Sequence, residues 1–145
     1  MADAKVNPNG TLKGKVALVT GASRGIGEAI SVRLAMEGAK VVCTARTADA
    51  GESNLPGTLR DTIARIQKAG GQAMFIKCDL SKAEDRERLI TDATAAYGPI
   101  DILVNNGAVT FYSPIETFAE KRFKLMMEVQ GWAAVHLAQM VLPGM

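Results

Sequence analysis

Three glycines near the start of the chain, Gly21, Gly25 and Gly27, directly follow a short apolar run at residues 16–20. Glycine lets a backbone approach a ligand closely, and a helix that begins within such a turn offers free N–H groups and the positive end of its dipole. The ligand that suits this combination is a diphosphate. Because a strand, a glycine-rich turn and a helix follow one another here, the spacing predicts a dinucleotide-binding turn.

The elements that must position this turn alternate between strand and helix. Predicted strands lie at residues 16–20, 40–45, 73–78 and 100–105. Predicted helices lie at residues 25–37 and 57–69, from a capping box at Ser81 to Tyr97, and in a long segment that ends near Leu142. Apolar strands that alternate with helices form a parallel sheet covered on both faces. With right-handed crossovers, the prediction is a doubly wound α/β fold with strand order 3-2-1-4, its later strands lying outside residues 1–145.

The composition is that of an ordinary soluble globular protein, with 48% hydrophobic and 22% charged residues among 145. The net charge of +2 is too small to argue for a nucleic-acid or anionic-membrane partner. No stretch has the pattern of a secretory signal or a membrane span. We expect a polar N-terminal arm at residues 1–14 and one nucleotide-binding domain at residues 15–145.

The two cysteines and the single histidine argue against metal chemistry, because no Cys/His grouping has metal-ligand spacing. Cys43 and Cys78 each lie near the end of a predicted strand. We expect both as reduced, buried thiols, which fits a cytoplasmic protein.

Three motifs, taken together, resemble the short-chain dehydrogenase/reductase family. They are the glycine turn at residues 20–27, the Cys78-Asp79-Leu80 step after the third strand, and the Asn105-Asn106-Gly107-Ala108 segment after the fourth. The similarity extends from about Leu12 to residue 145 and covers the N-terminal half of the family's Rossmann domain. It implies hydride transfer between a nicotinamide cofactor and an alcohol or carbonyl substrate, by a homodimer or homotetramer of the full-length protein.

The resemblance also implies which residues hold the cofactor. Those positions are Gly21, Ser23, Arg24, Gly25, Ile26, Gly27, Arg46, Asp79, Leu80, Asn105, Asn106 and Gly107. Asp79 would meet the adenine amino group with Leu80 beside the ring, or Asp79 would instead form an Asx turn before the next helix. Asn105 would tie the central strand through backbone bonds, and Asn106 and Gly107 would lie beside the nicotinamide ribose. Family members commonly read Asn-Asn-Ala-Gly here, so the last two residues are reversed in this chain.

The end of the second predicted strand bears on the choice of cofactor. Sites that prefer NAD(H) place an Asp or Glu there to hold the ribose hydroxyls. Residues 43–46 contain no acid but end in Arg46, and Arg24 lies inside the glycine turn. Two guanidinium groups can bind a 2′-phosphate through charge-assisted, often bidentate hydrogen bonds. We therefore predict NADP(H) over NAD(H). The alternative is that both arginines are solvated surface cations.

The catalytic centre that the family implies is a serine with a Tyr-x-x-x-Lys pair, and residues 1–145 contain no such pair. The family also places an asparagine in the long helix, where it holds a water of the proton relay. Gln130 stands at that position and is the one catalytic candidate. We expect an NADP(H)-dependent oxidoreductase represented here by its cofactor-binding half, which is inactive by itself. The alternatives are a non-catalytic dinucleotide-binding module and an inactive fragment.

The sequence also predicts an apolar face on two of the helices. Ile26, Ile30 and Leu34 recur at helical spacing and predict the buried side of the first helix. An apolar surface on the long helix either packs in the core or contacts another subunit. Its residues are Met126, Met127, Trp132, Leu137 and Met140.

Overall fold

The computed structural model describes residues 5–145, and its centre is a four-stranded parallel sheet. The strands are β1 (Val16–Thr20), β2 (Lys40–Ala45), β3 (Gln72–Lys77) and β4 (Ile102–Val104). They lie in the order β3-β2-β1-β4, and Leu18 of β1 stands opposite both Val42 and Leu103. The predicted 3-2-1-4 order of a doubly wound fold is thus confirmed.

Helices cover both faces of this sheet. The α-helices in the described part of the chain are α1 (Gly25–Met36), α2 (Leu59–Lys68), α3 (Ala83–Tyr97), α4 (Glu120–Met126) and α5 (Ala133–Val141). The predicted long helix is divided, because a π-helical turn, Met127–Trp132, joins α4 to α5. Short 3-10 turns lie at Ile115–Thr117 and Leu142–Gly144. Within residues 5–145, no helix is long and apolar enough to cross a membrane.

Both faces of β1 are buried. Successive residues of a strand point to opposite faces, so Ala17 and Val19 join the core beneath α1 and α2. Val16 and Leu18 join the core beneath α3 and α5. A strand enclosed in this way reads as a continuous apolar run, which is why β1 could be recognised from its sequence.

The buried side of α1 differs from the predicted one. Ile26 is 73% exposed, and the other two residues of the predicted face are only half-buried. The buried residues of α1 are Gly27, Ser31, Val32, Ala35 and Met36, and Ile30 and Leu34 pack against the edge of the same core. Small residues lie where the helix begins, because close helix–strand packing beside a glycine turn leaves little room there.

The N-termini of α2 and α3 are capped differently. Thr58 caps α2 through a reciprocal pair: the Asp61 N–H donates to Thr58 Oγ1 at 3.1 Å, and the Thr58 N–H donates to the Asp61 carboxylate at 3.0 Å. The capping box predicted at Ser81 is wrong, because Lys82 precedes α3 and makes no side-chain cap. Ser81 donates its N–H (3.0 Å) and its hydroxyl (2.8 Å) to the Asp79 carboxylate instead. This is the Asx turn that was the alternative expectation for Asp79.

The N-terminal segment, residues 5–14, packs against the body of the fold. The Asn7 N–H donates to the Met36 carbonyl at 2.7 Å, and the Val6 N–H donates to the Ala69 carbonyl at 3.2 Å. These carbonyls lie at the C-terminal ends of α1 and α2, where helices lack internal partners. Residues 6 and 7 of the predicted arm therefore donate hydrogen bonds to the C-terminal ends of two helices. Residues 1–4 lie outside the described residues.

Strand β4 lies at one edge of the sheet. It pairs with β1, and within residues 5–145 no strand lies on its other side. It is shorter at both ends than the predicted strand at residues 100–105, and just before it the Asp101 carboxylate accepts the Val16 N–H at 2.9 Å. Such an edge can pair with a further strand, which is what the expected later strands of the fold would do.

Candidate functional site

The carboxyl ends of β1 and β4 are joined by the hydroxyl of Thr20. Thr20 is 1% exposed, and its Oγ1 accepts the N–H groups of Asn106 (3.0 Å) and Gly107 (2.9 Å). The same hydroxyl donates to the Val104 carbonyl at 3.2 Å. The sequence placed Thr20 in the glycine motif but gave no sign of this role. The consequence is that the segment after β4 is fixed directly beside the glycine turn.

The tie to the central strand is made by Asn106 and not by Asn105. The Asn106 amide donates to the carbonyls of Thr20 (2.9 Å) and Gly21 (3.3 Å). The Asn105 amide donates to the Ala134 carbonyl of α5 at 3.4 Å. Neighbouring side chains at a strand end point to opposite sides. The expected contact therefore moves by one residue, and Asn105 joins the sheet to α5.

The glycine turn needs its glycines for different reasons. A Cβ on Gly27 would lie 2.2 Å from the Gly21 carbonyl oxygen, and a Cβ on Gly21 would lie 2.8 Å from the Gly107 Cα. Gly25 has a φ of +58°, a left-handed conformation, and nothing would lie within 4 Å of its Cβ. The turn is therefore closed on its protein side and open at Gly25. This is the space that a diphosphate at the N-terminus of α1 would need.

The reversed Gly107-Ala108 pair also has a steric explanation. A Cβ on Gly107 would lie 2.6 Å from Leu80 Cδ1 and 3.2 Å from Thr20 Oγ1. Neither Gly107 nor Ala108 has a positive φ. Residue 107 must therefore be glycine for lack of room, whereas Ala108 adopts its conformation without strain.

A cleft of about 350 Å³ lies at the carboxyl ends of the strands. The predicted residues that line it are Gly21, Ser23, Arg24, Arg46, Asp79, Leu80, Asn106 and Gly107. Gly25, Ile26 and Gly27 form the first turn of α1 beside it, and Asn105 does not line it. Ser53 and Leu55, from the loop between β2 and α2, line the cleft but were not predicted, because no local pattern marks that loop as part of a site.

Two arginines at this cleft have only neutral contacts. Arg24 Nε lies 3.4 Å from Ser23 Oγ, and Arg24 Nη1 lies 3.4 Å from Ser53 Oγ. Arg46 is exposed. Within residues 5–145, no carboxylate oxygen lies within 4 Å of either guanidinium. Their charges are therefore available to an anion that enters the cleft.

The loop between β3 and α3 is held by two carboxylates. Asp79 accepts from Ser81, and the Asp79 N–H donates to the Asp85 carboxylate at 2.9 Å. That backbone bond lowers the pKa of Asp85. Asp79 and Leu80 both line the cleft in this arrangement. The Asx turn and a place in the site are thus compatible.

Gln130 lies in the π-helical turn, and its side chain meets the segment that follows β4. Its Oε1 accepts the N–H of Val109 at 3.1 Å, and the neighbouring Val129 lines the cleft. Single π-helical turns often occur at functional sites because they redirect one side chain of a helix. The contact with Val109 connects Gln130 to the backbone that carries Gly107.

The two thiols are not reactive groups of this site. Burial raises the pKa of Cys43 to about 11 and that of Cys78 to about 12, so both are protonated at neutral pH. Both are free cysteines. Across residues 5–145, no group of three or more His, Cys, Asp and Glu side chains could hold a metal ion.

A doubly wound parallel sheet, a glycine turn between β1 and α1, and a cleft at the carboxyl ends of the strands define a dinucleotide-binding domain. The family model for short chain dehydrogenase matches residues 15–145. The chain therefore belongs to the short chain dehydrogenase family.

The chain is similar to hydroxysteroid dehydrogenase-like protein 2 of Bos taurus, with 41% identity over 124 residues, which are 84% of this chain and 29% of that protein. It is also similar to hydroxynaphthalene reductase-like protein Arp2 of Metarhizium majus, with 34% identity over 139 residues, 96% of this chain and 49% of that protein. Among solved structures, it is similar to a metagenomic short-chain oxidoreductase in complex with NADP. That match has a TM-score of 0.82 and 39% identity, and it covers 92% of this chain and 57% of the other. The chain spans half or less of the length of these curated relatives.

Proposed function

We propose that this chain supplies the cofactor-binding half of an NADP(H)-dependent oxidoreductase that interconverts an alcohol and a carbonyl compound. The observation that carries the cofactor choice is the pair Arg24 and Arg46, which reach the cleft without a carboxylate partner in residues 5–145. Family membership supports the redox chemistry. The similar metagenomic oxidoreductase in complex with NADP supports the choice of cofactor.

The physical basis for NADP(H) lies at the end of β2. An acid at this position would hold the ribose hydroxyls of NAD(H) and repel a 2′-phosphate. This strand ends at Ala45 and is followed by Arg46. A guanidinium forms bidentate, charge-assisted hydrogen bonds with a phosphate, and these are stronger than bonds between neutral groups.

The remaining residues of the cleft have separate proposed tasks. The free N–H groups at Gly25 and Ile26 would bind the diphosphate, and Asp79 with Leu80 would bind the adenine. Asn106 and Gly107 would lie beside the nicotinamide ribose. The bound nicotinamide would supply or accept the hydride.

Gln130 is proposed to position the segment after β4 and to take part in proton transfer. Its Oε1 already accepts the Val109 N–H, so it holds the segment after Gly107 in place. The second lone pair of the amide oxygen and the amide NH₂ remain suited to a water of a proton relay. Its longer side chain replaces the asparagine that the family commonly has.

The second candidate function is a dinucleotide-binding module without turnover. It is supported by the cleft and the glycine turn, because both would bind a dinucleotide with or without turnover. The two functions differ in one observable, because a module binds NADPH without oxidising it in the presence of carbonyl compounds. An inactive fragment would do neither.

Assembly and location are proposed from the same family membership. Apolar side chains of the α4–α5 region are exposed: Phe123 at 56%, Met127 at 54%, Trp132 at 49% and Val135 at 48%. Leu137, from the same predicted surface, is 1% exposed and belongs to the core. We propose that the exposed part is a subunit contact of a homodimer or homotetramer.

The two free thiols fit a reducing, cytoplasmic compartment.

The test is to express the protein from its natural gene, purify it, and follow NADPH and NADH oxidation against a panel of aldehydes and ketones. We expect NADPH-dependent reduction of at least one carbonyl and a lower Kd for NADPH than for NADH. Tight NADPH binding with no turnover across the panel would support the binding module. Oxidation of NADH alone would contradict the proposal.

A further inference from the structure

The loop at residues 47–57, here named the cap loop, is folded around one carboxylate. Glu52 Oε2 accepts the N–H groups of Ala48 at 2.7 Å and Asp49 at 3.1 Å. Glu52 Oε1 forms an ion pair with Lys77, the last residue of β3. These contacts, with Lys77 as the largest cause, lower the pKa of Glu52 to about 2. Glu52 is therefore ionised at neutral pH and fastens the cap loop to the sheet.

The fastened loop returns to the glycine turn. Gly57 ends it with a φ of +95°, and a Cβ there would lie 2.8 Å from the Ser23 carbonyl oxygen. Ser53 and Leu55, between Glu52 and Gly57, form part of the cleft wall, although Leu55 is 64% exposed. The cap loop thus places side chains on the same side of the cleft as the glycine turn.

Ser53 contacts Arg24, one of the two arginines proposed to bind the 2′-phosphate. Its Oγ lies 3.4 Å from Arg24 Nη1 and accepts the Leu55 N–H at 3.1 Å. A guanidinium forms its stronger bonds with anionic acceptors, so this long contact with a neutral hydroxyl is easily replaced by a phosphate oxygen. The freed hydroxyl can rotate and donate its own proton to the same phosphate.

We propose that Ser53 is a third residue, beside Arg24 and Arg46, that selects the 2′-phosphate of the cofactor, and that Glu52 positions it by fastening the cap loop. The inference rests on the proposed preference for NADP(H). Ser53 would act by direct contact, and Glu52 would act through the loop.

Adenosine 2′,5′-bisphosphate and adenosine 5′-monophosphate test this directly, because they differ only in the 2′-phosphate. Their Kd values are measured by calorimetry for the wild-type protein and for Ser53→Ala, Ser53→Thr and Glu52→Gln. Loss of a hydrogen bond to a charged group predicts about tenfold weaker bisphosphate binding for Ser53→Ala, with the monophosphate changed less than about twofold. Ser53→Thr, which keeps the hydroxyl, should retain wild-type affinity within about threefold. Glu52→Gln should weaken bisphosphate binding by about threefold to tenfold.

Two matched controls separate this effect from general damage. Ser113→Ala removes a hydroxyl that contacts only Thr117 among the described residues, and Glu120→Gln removes an exposed charge of α4 that is paired with Lys124. Both should leave the two Kd values unchanged, and thermal unfolding checks that every variant is folded.

The measurements separate the cofactor preference of the protein from the role of Ser53. If the wild-type protein binds both nucleotides equally, the proposed cofactor preference is wrong and the inference falls with it. If the wild-type protein prefers the bisphosphate but Ser53→Ala leaves that preference unchanged, the preference stands and the role of Ser53 is refuted. If Glu52→Gln weakens both nucleotides equally, Glu52 supports the fold of the loop and does not select the phosphate.

Discussion

Arg86 of α3 is 1% exposed, and its Nη1 lies 2.8 Å from the Glu128 carboxylate of the π-helical turn. The same guanidinium donates to the Leu80 carbonyl and, through Nε, to His136 Nδ1 at 3.0 Å. One buried cation therefore connects the loop that carries Leu80 to the helical segment that carries Gln130. Leu80, which lines the cleft, is thereby held from behind by a buried side chain of α3.

The first prediction concerns this ion pair. Glu128→Ala should destabilise the protein by about 3 kcal/mol, because it leaves a buried guanidinium without its carboxylate. Arg86→Met should destabilise it less, because methionine fills similar volume and leaves a carboxylate that water can reach. Urea unfolding measures both. Glu120→Ala, which breaks an exposed pair with Lys124, should change stability by less than about 1 kcal/mol. A larger loss for Arg86→Met than for Glu128→Ala would contradict this account.

The second prediction concerns the hydroxyl at the end of β1. Thr20→Val keeps the shape of the side chain but removes the acceptor of two N–H groups. It should destabilise the protein by about 2 kcal/mol, because those N–H groups lose their partner in a buried place. Thr91→Val, which removes a hydroxyl from an exposed position of α3, is the matched control and should have little effect. Equal unfolding midpoints for the two variants would show that the Thr20 contacts are not important.

The third prediction concerns the packing of α1 on the glycine turn. Gly27→Ala places a methyl group against the Gly21 carbonyl oxygen, where a Cβ would be 2.2 Å away. We expect a loss of about 2 kcal/mol in stability and a more than tenfold increase in the Kd for NADPH, because the backbone must move. Gly131→Ala would meet only Met127 Cε at 3.6 Å and should be tolerated. Unchanged NADPH binding by Gly27→Ala would place the cofactor elsewhere.

The fourth prediction concerns alkaline pH. Cys43 and Cys78 have raised pKa values in the folded protein, at about 11 and about 12, so the folded state holds their protons more tightly than the unfolded state does. The stability that these thiols contribute is fully present below pH 9, the ordinary thiol pKa. It is lost as the pH rises through their pKa values in the folded protein. Between pH 9 and its folded pKa, each thiol lowers the free energy of unfolding by up to about 1.4 kcal/mol per pH unit. Cys78→Ala should flatten the decline between pH 9 and pH 11. An identical slope for the variant and the wild type would refute the assignment.

The elements and the glycine turn could be predicted because their signals are local, and the sheet order followed from the right-handed crossover rule. Apolar strands, helical periodicity and glycine spacing all occur within a few neighbouring residues. The reciprocal cap at Thr58 also lies in a local pattern, T-x-x-D, although the prediction began that helix at residue 57.

The features that the sequence did not reveal depend on contacts between distant segments. Thr20 meets Gly107, 87 positions along the chain, and Arg86 meets Glu128, 42 positions along. The contact of Asn106, and not Asn105, with β1 depends on where β4 ends, because a shift of one residue reverses the side that a side chain faces. The burial of Gly27 in place of Ile26 depends on how closely α1 approaches the sheet. The spacing of residue types along the sequence does not reveal these contacts between distant segments.

The central claim is that Arg46 and Arg24 give this cleft its preference for the 2′-phosphate. The most direct measurement compares the Kd values of NADPH and NADH for the wild-type protein, Arg46→Ala and Lys68→Ala, the last being a control at an exposed lysine of α2. We predict that the wild type and Lys68→Ala prefer NADPH, and that Arg46→Ala weakens NADPH binding by about tenfold with NADH changed less than about twofold. Equal affinities for the two cofactors in the wild type, unchanged in Arg46→Ala, would contradict the claim.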